Sequence, residues 1–153
     1  MNNRIIPFFI SLPFVLAACC LGNAKCKTSS NTVNARLIDL TTGKDLFFGD
    51  SARFRNKQPV FYSFIGTDSV THSAGKQEYN PTNADSVFTI QFDARSLTTV
   101  YIKLPDGDID TLSLSYPFND GSPCCDAYTT VAPLQYNRQP IQGGLSDVLV
   151  FGK

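Results

Sequence analysis

Apolar side chains in the body of this sequence recur at every second residue. Phe88, Ile90 and Phe92 alternate with Thr89 and Gln91, and Leu112, Leu114 and Tyr116 alternate with Thr111, Ser113 and Ser115. That period gives an extended chain one apolar and one polar face, which is a half-buried strand and not a helix. Thr99-Val100-Tyr101-Ile102-Lys103-Leu104 alternates in the same way and runs into Pro105-Asp106-Gly107-Asp108, a set of turn formers, before the Leu112 strand. The pair reads as a hairpin.

Further strands are expected over 35–40, 45–48, 60–65, 128–136 and 148–151. Turn formers separate them at Thr41-Thr42-Gly43, Gly66-Thr67-Asp68, Asn119-Asp120-Gly121 and Asn137-Arg138-Gln139-Pro140. Seven to eight short strands with regular turns predict an all-β fold, an antiparallel β-sandwich of immunoglobulin-like or transthyretin-like type. Glu occurs once, at Glu78, and no window sustains a capped helical pattern, so helix is limited to one turn near 93–97. The phenylalanines on strands are assigned to the core and given no functional weight.

The chain is 153 residues long, enough for one core. Its 13 Lys plus Arg balance 13 Asp plus Glu, so it lacks the basic footprint of a nucleic-acid binder. With 17% charged and 42% hydrophobic residues it is no disordered polyelectrolyte.

The N-terminus has a different character. Met1-Asn2-Asn3-Arg4 precedes Ile5-Ile6-Pro7-Phe8-Phe9-Ile10-Ser11-Leu12-Pro13-Phe14-Val15-Leu16, a positive start and a short apolar run that together read as a signal peptide over residues 1–18. The run contains two prolines and falls short of the roughly 20 residues that span a bilayer as a helix. Leu16-Ala17-Ala18-Cys19 resembles the bacterial lipoprotein cleavage box, which makes Cys19 the lipidated residue. Cys20 fits that role poorly, because Cys19 would then stand where the box asks for Gly, Ala or Ser. Each buried acyl CH₂ contributes about 0.8 kcal/mol, so two or three chains on one sulfur hold a domain firmly to a membrane. Removing residues 1–18 takes away only one charged side chain, Arg4, and leaves a near-neutral body.

Residues 19–34 then form a lipidated end and a small, polar tether with a coil reach on the order of 20 Å, and 35–153 form the sandwich domain. A residue other than Asp after the lipidated cysteine resembles the outer-membrane sorting pattern. Leu21-Gly22-Asn23-Ala24-Lys25 lacks the acidic cluster that resembles a surface-export signal. The expected location is the bacterial outer membrane, lipid-anchored and facing the periplasm, with surface exposure left open.

Besides Cys19 there are four cysteines, Cys20, Cys26, Cys124 and Cys125, which permit three complete pairings in an oxidising compartment. A bridge from Cys26 to the late pair would close a loop of about a hundred residues and restrict the unfolded chain by about 4–5 kcal/mol in the chain-entropy model. The alternative is a vicinal Cys124–Cys125 bond, strained because adjacent Cα atoms lie only about 3.8 Å apart. No C-x-x-C is present, and thioredoxin-type chemistry has no support.

Asp106-Gly107-Asp108-Ile109-Asp110 echoes the first half of a calcium loop, and Asp106, Asp108 and Asp110 are the calcium candidates. The second half fails, with Thr111 at the sixth position where Gly belongs and Pro117 at the twelfth where a bidentate Glu is needed. A hydrated hairpin turn is the plainer reading. His72, the single histidine, stands in the polar stretch Thr71-His72-Ser73-Ala74-Gly75 and reads as a solvated loop residue. One imidazole cannot build a multi-histidine metal site. A Ser-His-Asp system lacks its elbow too, since Gly144-Leu145-Ser146-Asp147-Val148 has no second glycine. No phosphate loop, dinucleotide fingerprint or paired glycosidase acids stand out, so no catalytic residue, resident metal or cofactor is expected.

With the lipobox, Cys26, and Asp110-Thr111-Leu112-Ser113-Leu114-Ser115-Tyr116 followed by Cys124-Cys125, the layout resembles the small single-domain lipoproteins of Bacteroidota. That resemblance implies a bridge from tether to body, here from Cys26 to Cys124 or Cys125, and brings no catalytic residue with it. The chain departs from the layout in its doubled late cysteine and the extra Cys20. The expected function is a non-enzymatic envelope lipoprotein with a protein-interaction or structural role and an envelope protein as partner. The alternative is a small-ligand or carbohydrate-binding accessory to an uptake system, for which six tyrosines could line a shallow face and the lack of Trp removes the best stacking residue.

Overall fold

The computed structural model describes residues 26–77, 86–92, 97–122, 125–141 and 148–153. The described residues are all-β and fall into two compact units. The larger holds β1 (Thr32–Ile38), β2 (Val60–Ile65), β3 (Asp68–Gln77), β4 (Val87–Gln91), β5 (Thr99–Lys103), β6 (Ile109–Ser115), β9 (Ala132–Tyr136), β10 (Gln139–Pro140) and β11 (Val148–Gly152). The smaller holds β7 (Phe118–Asn119) and β8 (Tyr128–Thr129).

In the larger unit nine strands form one mixed sheet in the order β10-β9-β6-β5-β2-β3-β4-β1-β11, curled into a half-barrel. The all-β class is as expected; the expected count of seven to eight strands and their wholly antiparallel pairing are corrected, since the described strands number eleven and the large sheet is mixed. The continuity comes from β3, whose residues 68–72 pair with β2 while 73–77 pair with β4. A strand that changes neighbours halfway turns a corner, carrying the sheet from one group of strands to the next. The β1–β11 pair is parallel, and every other pair in this sheet is antiparallel.

The core lies on the inner face. Leu37, Phe61, Phe88, Ile90, Val100, Ile102, Leu112, Leu114 and Phe151 reach it from alternate strand positions, as a two-residue period requires. The irregular segment between β1 and β2 adds Leu46, Phe47, Phe48 and Phe54. Phe88 is the hub, with the rings of Phe47, Phe48 and Phe61 at 5.2, 5.0 and 6.4 Å. Residues 45–48, expected as a strand, are instead a plug. Asp45 Oδ1 accepts from the backbone N–H of both Phe47 and Phe48 at 2.8 and 2.9 Å, and its Oδ2 accepts from Arg36 Nε at 3.0 Å. A side chain that captures the next two amides bends the backbone out of any ladder.

Other boundaries shift less. The first strand starts at Thr32, within the stretch read as tether, and Asn31 Nδ2 donates to Phe92 O at 3.1 Å. The expected strand 128–136 divides into β8 and β9. The β9–β10 hairpin turns on Asn137 and Arg138, both at positive φ (49° and 66°), the type I′ geometry that matches strand twist. The helical turn expected at 93–97 falls almost wholly outside the described residues.

In the smaller unit β7 and β8 pair antiparallel, Ser122 and Cys125 form an isolated bridge, and Thr129 N donates to Ser29 Oγ at 3.1 Å. The sulfurs of Cys26 and Cys125 are at disulfide distance, 99 residues apart in sequence. Gly121, at φ +79°, faces the Cys125 carbonyl so closely that no Cβ would fit.

Candidate binding surfaces

Two features of the larger unit present surface that packing alone does not require. The first is on the outer face of β2, β5 and β6. Strand β2 buries Phe61 and Ser63 and turns Val60, Tyr62 and Phe64 outward. Across the ladder Tyr62 stands beside Tyr101 on one side and Thr71 on the other, and Tyr101 beside Thr111. The rings of Tyr62 and Tyr101 stack at 5.4 Å and 23°, and Phe64 sets its edge against both, at 5.6 and 5.3 Å. Phe64 is 47% exposed, and Val60, Ile65 and Ile109 are exposed as well. Ser69, Thr71, Thr99, Thr111 and Ser113 occupy the neighbouring register positions. Lys103 stands between Val60 and Ile109 in the same row, and an exposed aromatic cluster with a polar rim of this kind marks an interaction site. The core assignment of strand phenylalanines therefore fails at Phe64. The signal was in β2, where Val60-Phe61-Tyr62-Ser63-Phe64-Ile65 is apolar on both faces.

The second feature is the seam between the ends of the sheet. Tyr136 of β9 and Phe151 of β11 stack at 4.8 Å and 9°, bringing the two ends together on the core side. Above them a cavity of about 220 Å³ runs between β11 and the β9–β10 hairpin, bordered by Leu40, Asn137, Pro140, Ile141 and Val150. Behind its aromatic floor lies a polar cluster. Asp110 sits on the core-facing row of β6 with Leu112 and Leu114, and it accepts from Tyr136 Oη at 2.6 Å and Asn137 Nδ2 at 2.8 Å. Asn137 in turn exchanges backbone and side-chain bonds with Thr111. A buried carboxylate with two strong donors is satisfied in place.

This separates the three calcium candidates. Asp106 pairs with Arg53 at 3.1 Å, Asp108 with Lys153 Nζ, and Asp110 turns inward to Tyr136 and Asn137. No group of three metal-ligating side chains forms among the described residues. Asp106 and Asp108 stay in the β5–β6 turn, each beside a cation, whereas Asp110, read as part of the same turn, is placed inside by alternation. The bond to Lys153 holds the Asp108 carboxyl below its usual range.

Burial and the bond to Asp110 push the Tyr136 phenol far above its ordinary 10.0, with the charges of Asp110 and Asp108 adding to the effect. A proton held more tightly in the folded state stabilises the fold fully below pH 10, and that contribution is lost as the pH rises past it. Tyr136→Phe is expected to cost about 1.5–3 kcal/mol at neutral pH, the range for a hydrogen bond to a charged group. It should also flatten the loss of stability in urea melts between pH 9 and 11; an unchanged alkaline slope would exclude Tyr136 as its source.

His72 is not a solvated loop residue. It is buried on β3, its Nε2 lies 2.8 Å from Ser63 Oγ, and its ring meets Phe92 edge-on at 5.3 Å. Ser63 is fully buried and donates its only hydroxyl proton to Thr99 O at 2.8 Å, so in this arrangement His72 Nε2–H is the donor to Ser63. The proton a nucleophile would have to surrender to His72 is already committed to a carbonyl. The pair bonds the interior of β3 to β2 and β5.

Among the cysteines, Cys125 is engaged by Cys26, which leaves it unavailable for a vicinal bond in this state. Cys19, Cys20 and Cys124 lie outside the described residues, as do the signal segment and Gly144-Leu145-Ser146. No described helix is long and apolar enough to cross a membrane. Comparison with protein-family models, with curated proteins and with solved structures found no match to this chain.

Proposed function

We propose that this protein is a non-enzymatic, lipid-anchored lipoprotein of the bacterial envelope that binds a protein partner through the outer face of β2, β5 and β6. The observation that carries the reading is the exposed cluster of Tyr62, Phe64 and Tyr101, with Val60 and Ile109 on either side of Lys103 at its margin. Aromatic anchors surrounded by residues that exclude water are the usual energetic centre of a protein interface. Lipid on Cys19 supplies the membrane attachment and the outer membrane, facing the periplasm, the location. The domain behind the patch works as a sandwich would: β2, β5, β6, β9 and β10 form one limb, β4, β1 and β11 the other, and one core fixes the outward faces. No step of this role needs a cofactor or a catalytic residue.

A second reading, glycan or small-ligand binding in support of uptake, draws on the near-parallel Tyr62–Tyr101 pair and the hydroxyl side chains in the adjoining rows. The outward Phe64, 47% exposed and set edge-on against both tyrosines, favours the protein partner, since it offers a sugar no hydrogen-bonding group.

The test is cross-linking in intact cells with the wild-type chain and with Phe64→Asp, which changes an exposed side chain and leaves the core untouched. A stoichiometric partner recovered with wild type and lost with Phe64→Asp supports the interaction. A partner that persists with Phe64→Asp removes this face from it. Retarded migration through a polysaccharide gel that Phe64→Asp abolishes, with no protein partner recovered, gives the face to glycans.

A further inference from the structure

The seam supports an inference independent of the outer face. We propose that it accepts a strand: an extended segment of a partner protein pairs with the outer edge of β11 at Val150 and Gly152 and inserts one apolar side chain into the cavity beside it.

The backbone directions come first. Lys153 donates its N–H to Ile38 O at 2.9 Å and accepts from Leu40 N–H at 2.7 Å, so both of its polar groups point toward β1. Successive residues of a strand alternate in this respect. Phe151 and Leu149, in phase with Lys153, spend theirs on β1, while Val150 and Gly152 direct an N–H and a C=O away from it. Among the described residues β11 pairs with β1 alone. Val150 is 52% exposed.

The edge across the seam cannot close the barrel in the same way. Strand β10 is two residues long, one of them Pro140, which has no N–H. Ile141 N–H is already donated to Leu134 O at 3.1 Å. A short edge ending in proline is blunted against pairing, whereas β11 is not.

The cavity of about 220 Å³ lies in the lane between these two edges. Its lining is chiefly apolar, with Tyr136 and Phe151 as floor and Leu40 packed closely over Gly152. An apolar cavity of about 150 Å³ holds a benzene molecule, so this one takes the phenyl or branched end of one side chain. A small apolar molecule would fill the cavity and leave the edge amides and carbonyls of β11 unpaired. An added strand satisfies both at once, its backbone bonding to Val150 and Gly152 and one inward side chain reaching the stacked rings. Backbone pairing would then supply affinity and the cavity selectivity, as in strand addition generally.

The experiment selects 12-residue random peptides displayed on phage against the purified full chain, then compares binding to wild type, Val150→Pro and Phe64→Asp. The expected peptides place a large apolar residue among alternating ones, bind Phe64→Asp as they bind wild type, and lose about tenfold or more with Val150→Pro, as the loss of one edge hydrogen bond implies. Because Val150→Pro could weaken the strand itself, amide exchange in the wild type provides a second readout. The peptide should slow exchange at Val150 and Gly152. Failure to enrich any peptide, or enriched peptides that leave both amides unprotected, overturns the proposal. Protection that grows with protein concentration and without peptide also overturns it, by giving the edge to a second copy. Loss of peptide binding in Phe64→Asp alone would instead assign the peptides to the outer face.

Discussion

Serine in place of both Cys26 and Cys125 is expected to lower the unfolding free energy by about 4–5 kcal/mol, the value for releasing a loop of this length in the chain-entropy model. The bond joins residues 99 apart, and the loop it closes contains every strand from β1 to β7. Few single bonds in a domain of this size restrict so much unfolded chain. Urea melts of the oxidised protein, with and without reductant, measure the effect. Reductant should shift the wild type and leave the double variant unmoved. A difference below about 1 kcal/mol would mean that the unfolded chain is compact enough to hold its ends together without the bond.

The second large effect is expected at Phe88. Replacing it by alanine empties the point where the rings of Phe47, Phe48 and Phe61 converge, and the cost should be about 3–5 kcal/mol. The rings around it come from an irregular segment and from β2, so the walls cannot collapse in register to fill the space. Phe64→Ala provides the contrast, a change of the same atoms on an exposed face, with a cost expected below about 1 kcal/mol. Equal costs in thermal melts would mean that the outer cluster belongs to the folding core and is not a surface held ready for a partner.

How much of this could be read from the sequence depends on which face of each strand carries the signal. Strand β2 runs over 60–65 as expected, and the β5–β6 hairpin lies where Pro105-Asp106-Gly107-Asp108 put it, because alternation and turn chemistry agree there. Strand β3 escaped. Its inward row is Val70, His72, Ala74 and Lys76, and a row holding a histidine and a lysine has no hydrophobic period to detect. Lys76 is tolerated because its ammonium lies over the Phe48 ring at 5.1 Å and donates to Arg55 O at 2.9 Å, partners that no local window contains. Residues 45–48 misled in the opposite sense, since Leu46-Phe47-Phe48 looks like a strand until Asp45 is seen as the group that bends it. Asp110 hid within an acidic turn, although two-residue alternation from Leu112 and Leu114 pointed it inward. The continuity of the large sheet was beyond reach for another reason: whether two groups of strands join depends on a strand that pairs with both, and pairing is not a property of a window.

The parallel pair of β1 and β11 sets Asn34 against Val148 and Ile38 against Gly152. A ribosome releases the N-terminal partner first, and more than a hundred residues must follow before the other exists. Throughout that interval the chain carries β1 with one flank unclaimed, and after it the closing contact has the largest loop to traverse, so loop-closure entropy predicts that it forms last and slowest. Shortening the chain ahead of β11 would make that condition permanent, leaving Leu37 and its neighbours beside an unpaired edge, the usual starting point for aggregation.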